Sequence, residues 1–167
     1  IIKKKYDYIF DFISKDTRLL KKILQKINFD KYIFISSVWL AKINRNAKLD
    51  RSIKKVSSNN QLPNITKKYL LNKYKLENFL VNISNKNNKK LYILRLPIIL
   101  GNNDATERLD FYTKRALDRY GQIIIKNKKI DLNLLHVEDL CAAIIKLIKK
   151  NKWGANKFME ALNSSNI

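Results

Sequence analysis

Apolar and polar positions along the chain change period several times, and each change marks an element. Tyr6 to Ile13 (YDYIFDFI) is dense in aromatic and β-branched residues, which predicts a strand. Asp16 follows as an N-cap, and Leu19, Leu20, Ile23, Leu24 and Ile27 recur at helical spacing. Lys31 to Ile35 (KYIFI) is a second apolar run, closed by Ser36-Ser37. Strand, helix and strand within about thirty residues make a βαβ unit, which requires parallel strands and a right-handed crossover.

Residues 38–63 read as a long polar loop, punctuated by Ser57-Ser58-Asn59-Asn60 and Pro63. A helix opening at Asn64 or Thr66 runs to about Ile83, with Leu76, Phe79, Leu80 and Ile83 on its buried side. Asn85 to Lys90 is a turn, and Leu91 to Leu96 is a third strand that Pro97 stops. After a turn at Gly101 to Ala105, the pattern predicts a helix over Glu107 to Arg119 and a fourth strand at Gln122 to Ile125. Ile130 to Val137 is extended, and Glu138-Asp139 opens a helix striped by Leu140, Ile144, Leu147 and Ile148. Asn156 to Leu162 completes the series as a short strand. Strands alternating with helices place the chain in the α/β class, as one domain over residues 1–167 with a mainly parallel sheet.

Composition narrows the chemistry. A length of 167 residues can bury a core, and 46% hydrophobic residues argue against a disordered polycation. The three glycines, Gly101, Gly121 and Gly154, stand far apart, so the chain holds neither a G-x-G-x-x-G turn nor a P-loop. One cysteine, Cys141, and one histidine, His136, exclude an internal disulfide and the usual zinc ligand sets, so no metal is expected. The longest apolar run, Leu91 to Leu100, is broken by Arg95 and too short for a bilayer, so no membrane partner is expected and the cytosol is the expected compartment. Ile1-Ile2 at the start, with Met159 the one methionine, suggest a trimmed or partial chain.

The formal charge of +21 comes from lysine far more than arginine and is spread along the whole chain. Nucleic-acid surfaces cluster their basic residues and interleave aromatics, so solvated faces explain this charge better than a nucleic-acid partner does.

Ligands in parallel α/β sheets bind beyond the carboxyl ends of the strands. Ser36 and Ser37, Arg95, the Asn102-Asn103-Asp104 turn and His136 fall at or near such ends. Tyr69 and Lys73 stand four apart on the long helix and share a face. A lysine beside a phenol stabilises phenolate, and a serine hydroxyl nearby could hold a carbonyl or alcohol against that tyrosine. Such a trio suits proton transfer coupled to hydride transfer. By itself, Tyr-x-x-x-Lys is also an ordinary surface pair in a lysine-rich chain.

The order YIFISS (32–37), YLLNKYKLE (69–77), LRLPIILG (94–101), LLHVEDLCAAI (134–144) resembles that of extended short-chain dehydrogenase/reductases, in particular the NAD-dependent epimerase/dehydratase family. The resemblance implies a Rossmann-like fold and an enzyme that epimerises, dehydrates or reduces a sugar or nucleotide sugar with NAD or NADP. It makes Tyr69 the general acid/base and Lys73 the residue that lowers its pKa and holds the nicotinamide ribose. Ser37 would orient the substrate, while Ser36, Arg95 and Pro97 would lie along the cofactor. Glu77, His136 and Asp139 match positions read as structural. A homodimer through the Tyr69 helix and its neighbour is implied as well. The chain departs from the family pattern at Leu40-Ala41-Lys42 and at Ile98, and it carries no glycine-rich cofactor turn. The resemblance therefore implies a Rossmann-like sheet incomplete at its N-terminus and in its C-terminal substrate lobe. The alternative is a catalytically idle reductase-like module that binds RNA or another polyanion through its basic surface.

Overall fold

The computed structural model describes residues 4–42, 63–102, 104–117, 134–150 and 157–160. These fall into two compact units, Ile1–Leu96 with Lys152–Leu162 and Pro97–Asn151 with Asn163–Ile167, where the sequence pattern predicts one domain. The strand expected at Gln122 to Ile125, most of the polar loop and the ends of the chain lie outside the described residues.

The first unit is a four-stranded sheet in the order β1-β2-β3-β6, with helices α1 and α3 in its connections. Its strands are β1 (Lys4–Asp11), β2 (Ile27–Ser37), β3 (Lys90–Leu96) and β6 (Lys157–Glu160), and every pairing is parallel. Helix α1 (Thr17–Lys26) starts as predicted, with Asp16 Oδ1 accepting from the Leu19 N–H at 2.8 Å. Only Leu20 of its apolar stripe is fully buried, and Leu19 and Ile23 stay exposed.

Strand β2 starts four residues earlier than the pattern suggests, because Ile27-Asn28-Phe29-Asp30 lacks the apolar run that marks its second half. From Tyr32 to Ser37 every residue is buried, as expected of an inner strand covered on both faces. A four-residue helix α2 (Trp39–Lys42) follows.

Helix α3 (Asn64–Asn87) is longer than expected, and residues 85–87, read as turn, are its last turn. It has no Gly or Pro to stop it, and it ends where Asn88 takes a left-handed conformation (φ 48°) that asparagine tolerates. Ser84 holds that end, its carbonyl accepting from the Lys89 N–H and its hydroxyl donating to the Lys89 carbonyl. Leu76 and Leu80 pack with Phe29, Tyr32 and Phe34 of β2, Leu91 and Ile93 of β3, and Leu20 of α1. Burying a side chain such as Phe34 contributes about 2–3 kcal/mol, so this cluster fixes α3 against the sheet.

In the second unit β4 (Ile98–Leu100) pairs in parallel with β5 (Leu134–His136). Pro97 does end β3, but the chain stays extended beyond it and joins a different sheet. Helix α4 (Arg108–Leu117) and helix α5 (Val137–Lys150) complete the described elements. Helix α5 buries Leu140 and Ile144, with Leu147 and Ile148 half-buried, as the stripe predicts.

Candidate functional site

At the carboxyl ends of β1, β2 and β3 the apolar core gives way to a layer of buried polar groups. Asp11 closes β1, Ser36 and Ser37 close β2, and Arg95 is the penultimate residue of β3; all four are buried. In register, Asp11 pairs with Phe34 and Ser36 with Arg95. Register partners on neighbouring parallel strands leave the sheet on the same face, and residues two apart on a strand share that face. Tyr32, Phe34, Ser36 and Arg95 therefore face the same way as Asp11, toward α3.

Helix α3 brings two charged side chains down onto this layer. Lys73 is 7% exposed, and its Nζ donates to the Ile35 carbonyl at 2.8 Å while standing 4.6 Å from the Phe34 ring centroid. Burial lowers the Lys73 pKa, and the nearby carboxylates of Asp11 and, more weakly, Glu77 oppose that shift. One turn later Glu77, fully buried, meets the Arg95 guanidinium in a bidentate pair, Nε to Oε1 at 3.0 Å and NH2 to Oε2 at 2.7 Å. Glu77 thus has the structural role its place after the lysine implies. Two of Arg95's donors serve the same pair, so much of its fork holds α3 to β3.

Tyr69 lies one turn before the buried Lys73 on the same helix face and is 48% exposed. Ser37 Oγ accepts from the Trp39 N–H at 3.3 Å, which ties the serine pair to the start of α2. Ser36 Oγ is buried and meets no partner among the described residues. Pro97 belongs to the second unit. There His136 Nδ1 accepts from the Glu138 N–H at 3.4 Å, and Glu138 and Asp139 occupy the first turn of α5, which suits a helix-starting role.

Asp11 and Tyr32 are the part of this layer that the pattern does not announce. The Tyr32 hydroxyl donates to Asp11 Oδ2 at 2.6 Å, and Asp11 Oδ1 accepts from the N–H groups of Ile13 (3.2 Å) and Ser14 (2.9 Å). Burial first, and then the Asp11 hydrogen bond, push the Tyr32 phenol well above its ordinary pKa. The one sequence signal is a carboxylate interrupting an aromatic strand in YIFDF.

No helix among the described residues is long and apolar enough to cross a membrane. No family model matches the chain, and no curated protein sequence matches it. Among solved structures it is similar to the crystal structure of capsular polysaccharide assembling protein CapF from Staphylococcus aureus, with a TM-score of 0.59 and 16% sequence identity. That match covers 95% of this chain and 40% of CapF, so this chain spans well under half of CapF's length. At such identity the likeness is one of fold: a mixed α/β, Rossmann-like arrangement of parallel strands.

Proposed function

We propose that the protein is an NAD(P)-dependent oxidoreductase of the epimerase/dehydratase type, interconverting a hydroxyl and a carbonyl on a sugar or nucleotide sugar. The observation that carries this reading is Lys73. A buried ammonium is costly unless it serves a purpose, and this one is aimed at the end of β2, two residues before Ser37 and one helical turn from Tyr69. The description of CapF as a capsular polysaccharide assembling protein supports a sugar among the candidate substrates.

The donor set fits the nicotinamide-ribose end of a dinucleotide. Lys73 spends one N–H on the Ile35 carbonyl and has two more to offer, and the Ser36 hydroxyl is buried without a partner among the described residues. A nicotinamide bound there would supply the hydride acceptor or donor. Tyr69, half-exposed, takes the proton from the substrate hydroxyl in oxidation and returns it in reduction. The Lys73 charge stabilises the phenolate form that this exchange requires. Ser37 donates to or accepts from the same substrate oxygen, which fixes its distance from the tyrosine. Arg95 acts behind the site by locking α3 onto β3 through Glu77.

Turnover of nucleotide sugars by the complete protein, with NAD and NADP each tried, tests the assignment. Tyr69→Phe removes the acid/base and lowers kcat by about 10²–10⁴-fold while leaving the fold intact. Wild-type turnover in that variant overturns the role of Tyr69.

A further inference from the structure

We propose that Asp11 is the counter-ion of Lys73: a positioning residue, outside the serine–tyrosine–lysine set, that holds the ammonium charged above the end of β2.

Among the described residues the polar layer contains four buried charged side chains, Asp11, Lys73, Glu77 and Arg95. Glu77 and Arg95 pair through two hydrogen bonds, and the other buried carboxylate and the buried ammonium among the described residues are Asp11 and Lys73. Both lie on Phe34. Asp11 is its register partner on β1, and Lys73 Nζ stands 4.6 Å from its ring centroid. The Tyr32 hydroxyl, two residues before Phe34 on the same face, donates to Asp11 at 2.6 Å, which places the carboxylate over this part of the sheet.

The Asp11 carboxylate is firmly anchored. It is 6% exposed and accepts three hydrogen bonds, from Tyr32 Oη and the N–H groups of Ile13 and Ser14. The Tyr32 phenol, pushed up by burial and then by Asp11, remains the donor of its bond to Asp11. A nearby carboxylate favours the charged form of a desolvated ammonium, and of the two carboxylates that act on Lys73, Asp11 has the larger effect. The catalytic meaning of the pair rests on the role proposed above for Lys73; its electrostatic content does not.

The test reads Lys73 directly. In the full chain carrying [ε-¹³C]lysine, the Lys73 resonance is identified by its loss in Lys73→Arg and followed through a pH titration. Asp11→Asn lowers the Lys73 midpoint by about 1 unit or more, the size an adjacent opposite charge produces. Asp11→Glu restores at least half of that shift, whereas a purely structural role gives no such rescue of a lysine titration. A Lys73 midpoint that stays within about 0.3 unit of wild type in folded Asp11→Asn overturns the proposal. Should that variant not fold, the Asp11 carboxyl carbon of the wild-type chain is followed instead. An inflection at the Lys73 midpoint is expected, and a flat response overturns the pairing. None of these readings requires turnover, so an inactive complete protein with an intact Asp11–Lys73 coupling would count against the oxidoreductase assignment alone.

Discussion

Removing one charge of the Glu77–Arg95 pair is the sharpest perturbation of the layer that carries the site. Glu77→Gln keeps the shape of the side chain but takes the carboxylate charge away from Arg95, a residue only 8% exposed. Both oxygens of Glu77 are engaged, at 3.0 and 2.7 Å, and solvent reaches neither partner well enough to replace them. Breaking a buried, bidentate pair from one side costs about 3–5 kcal/mol. That is a large part of the roughly 5–15 kcal/mol by which small domains are stable. Urea unfolding followed by far-UV circular dichroism measures it: with a slope near 2 kcal/mol per molar, the midpoint falls by about 1.5–2.5 M. Replacing both partners by apolar residues, Glu77→Leu with Arg95→Met, removes the uncompensated charge and recovers most of the loss. A single variant that costs less than about 1 kcal/mol, or a double variant no better than the single, would refute a desolvated pair.

Lys73 makes stability depend on pH in a predictable direction. Its pKa is lowered by burial, so the folded chain binds that proton less tightly than the unfolded chain. The stability lost to this group is absent above the ordinary value of 10.5 and grows as pH falls through the lowered midpoint. The stability difference between wild type and Lys73→Met, measured by urea unfolding across that window, rises with pH, and a pH-independent difference contradicts a desolvated ammonium. In the second unit, a Cβ on Gly101 would overlap Val137 Cγ1 and lie 3.1 Å from Val137 Cβ, and a β-branched neighbour cannot swing aside. Gly101→Ala therefore costs about 1–3 kcal/mol, and Val137→Ala in the same chain recovers part of it in a thermal melt.

Much of this arrangement is legible in the sequence, for a physical reason. Inner parallel strands must be apolar on both faces, so YIFIS and LYILRL stand out. A polar residue at the end of such a run is conspicuous, which is how Ser36, Ser37 and Arg95 emerge as site candidates. The helix between them is visible from its spacing, and the Tyr69–Lys73 pair falls on one face of it. What the pattern misses is non-local. Pro97 marks the end of β3 but not the return of the chain to extended backbone on another sheet. The pairing of β6 with β3 depends on residues more than fifty positions apart. Nor does the pattern show that two Arg95 donors go to Glu77, eighteen residues earlier on a different element. Asp11 looks like a polar interruption of an aromatic strand, and only the register to Phe34 and the Tyr32 hydroxyl give it a purpose.

The central claim is that the strand ends beneath α3 form a dinucleotide-dependent site organised by Lys73. The most direct test is a titration of the complete protein with NADH and NADPH, read by nicotinamide fluorescence, alongside folded Lys73→Met. Saturable binding of one dinucleotide, weakened about tenfold or more in the variant, is the predicted result, a loss of at least about 1.4 kcal/mol. Equal binding in both proteins, or none in either, would contradict it.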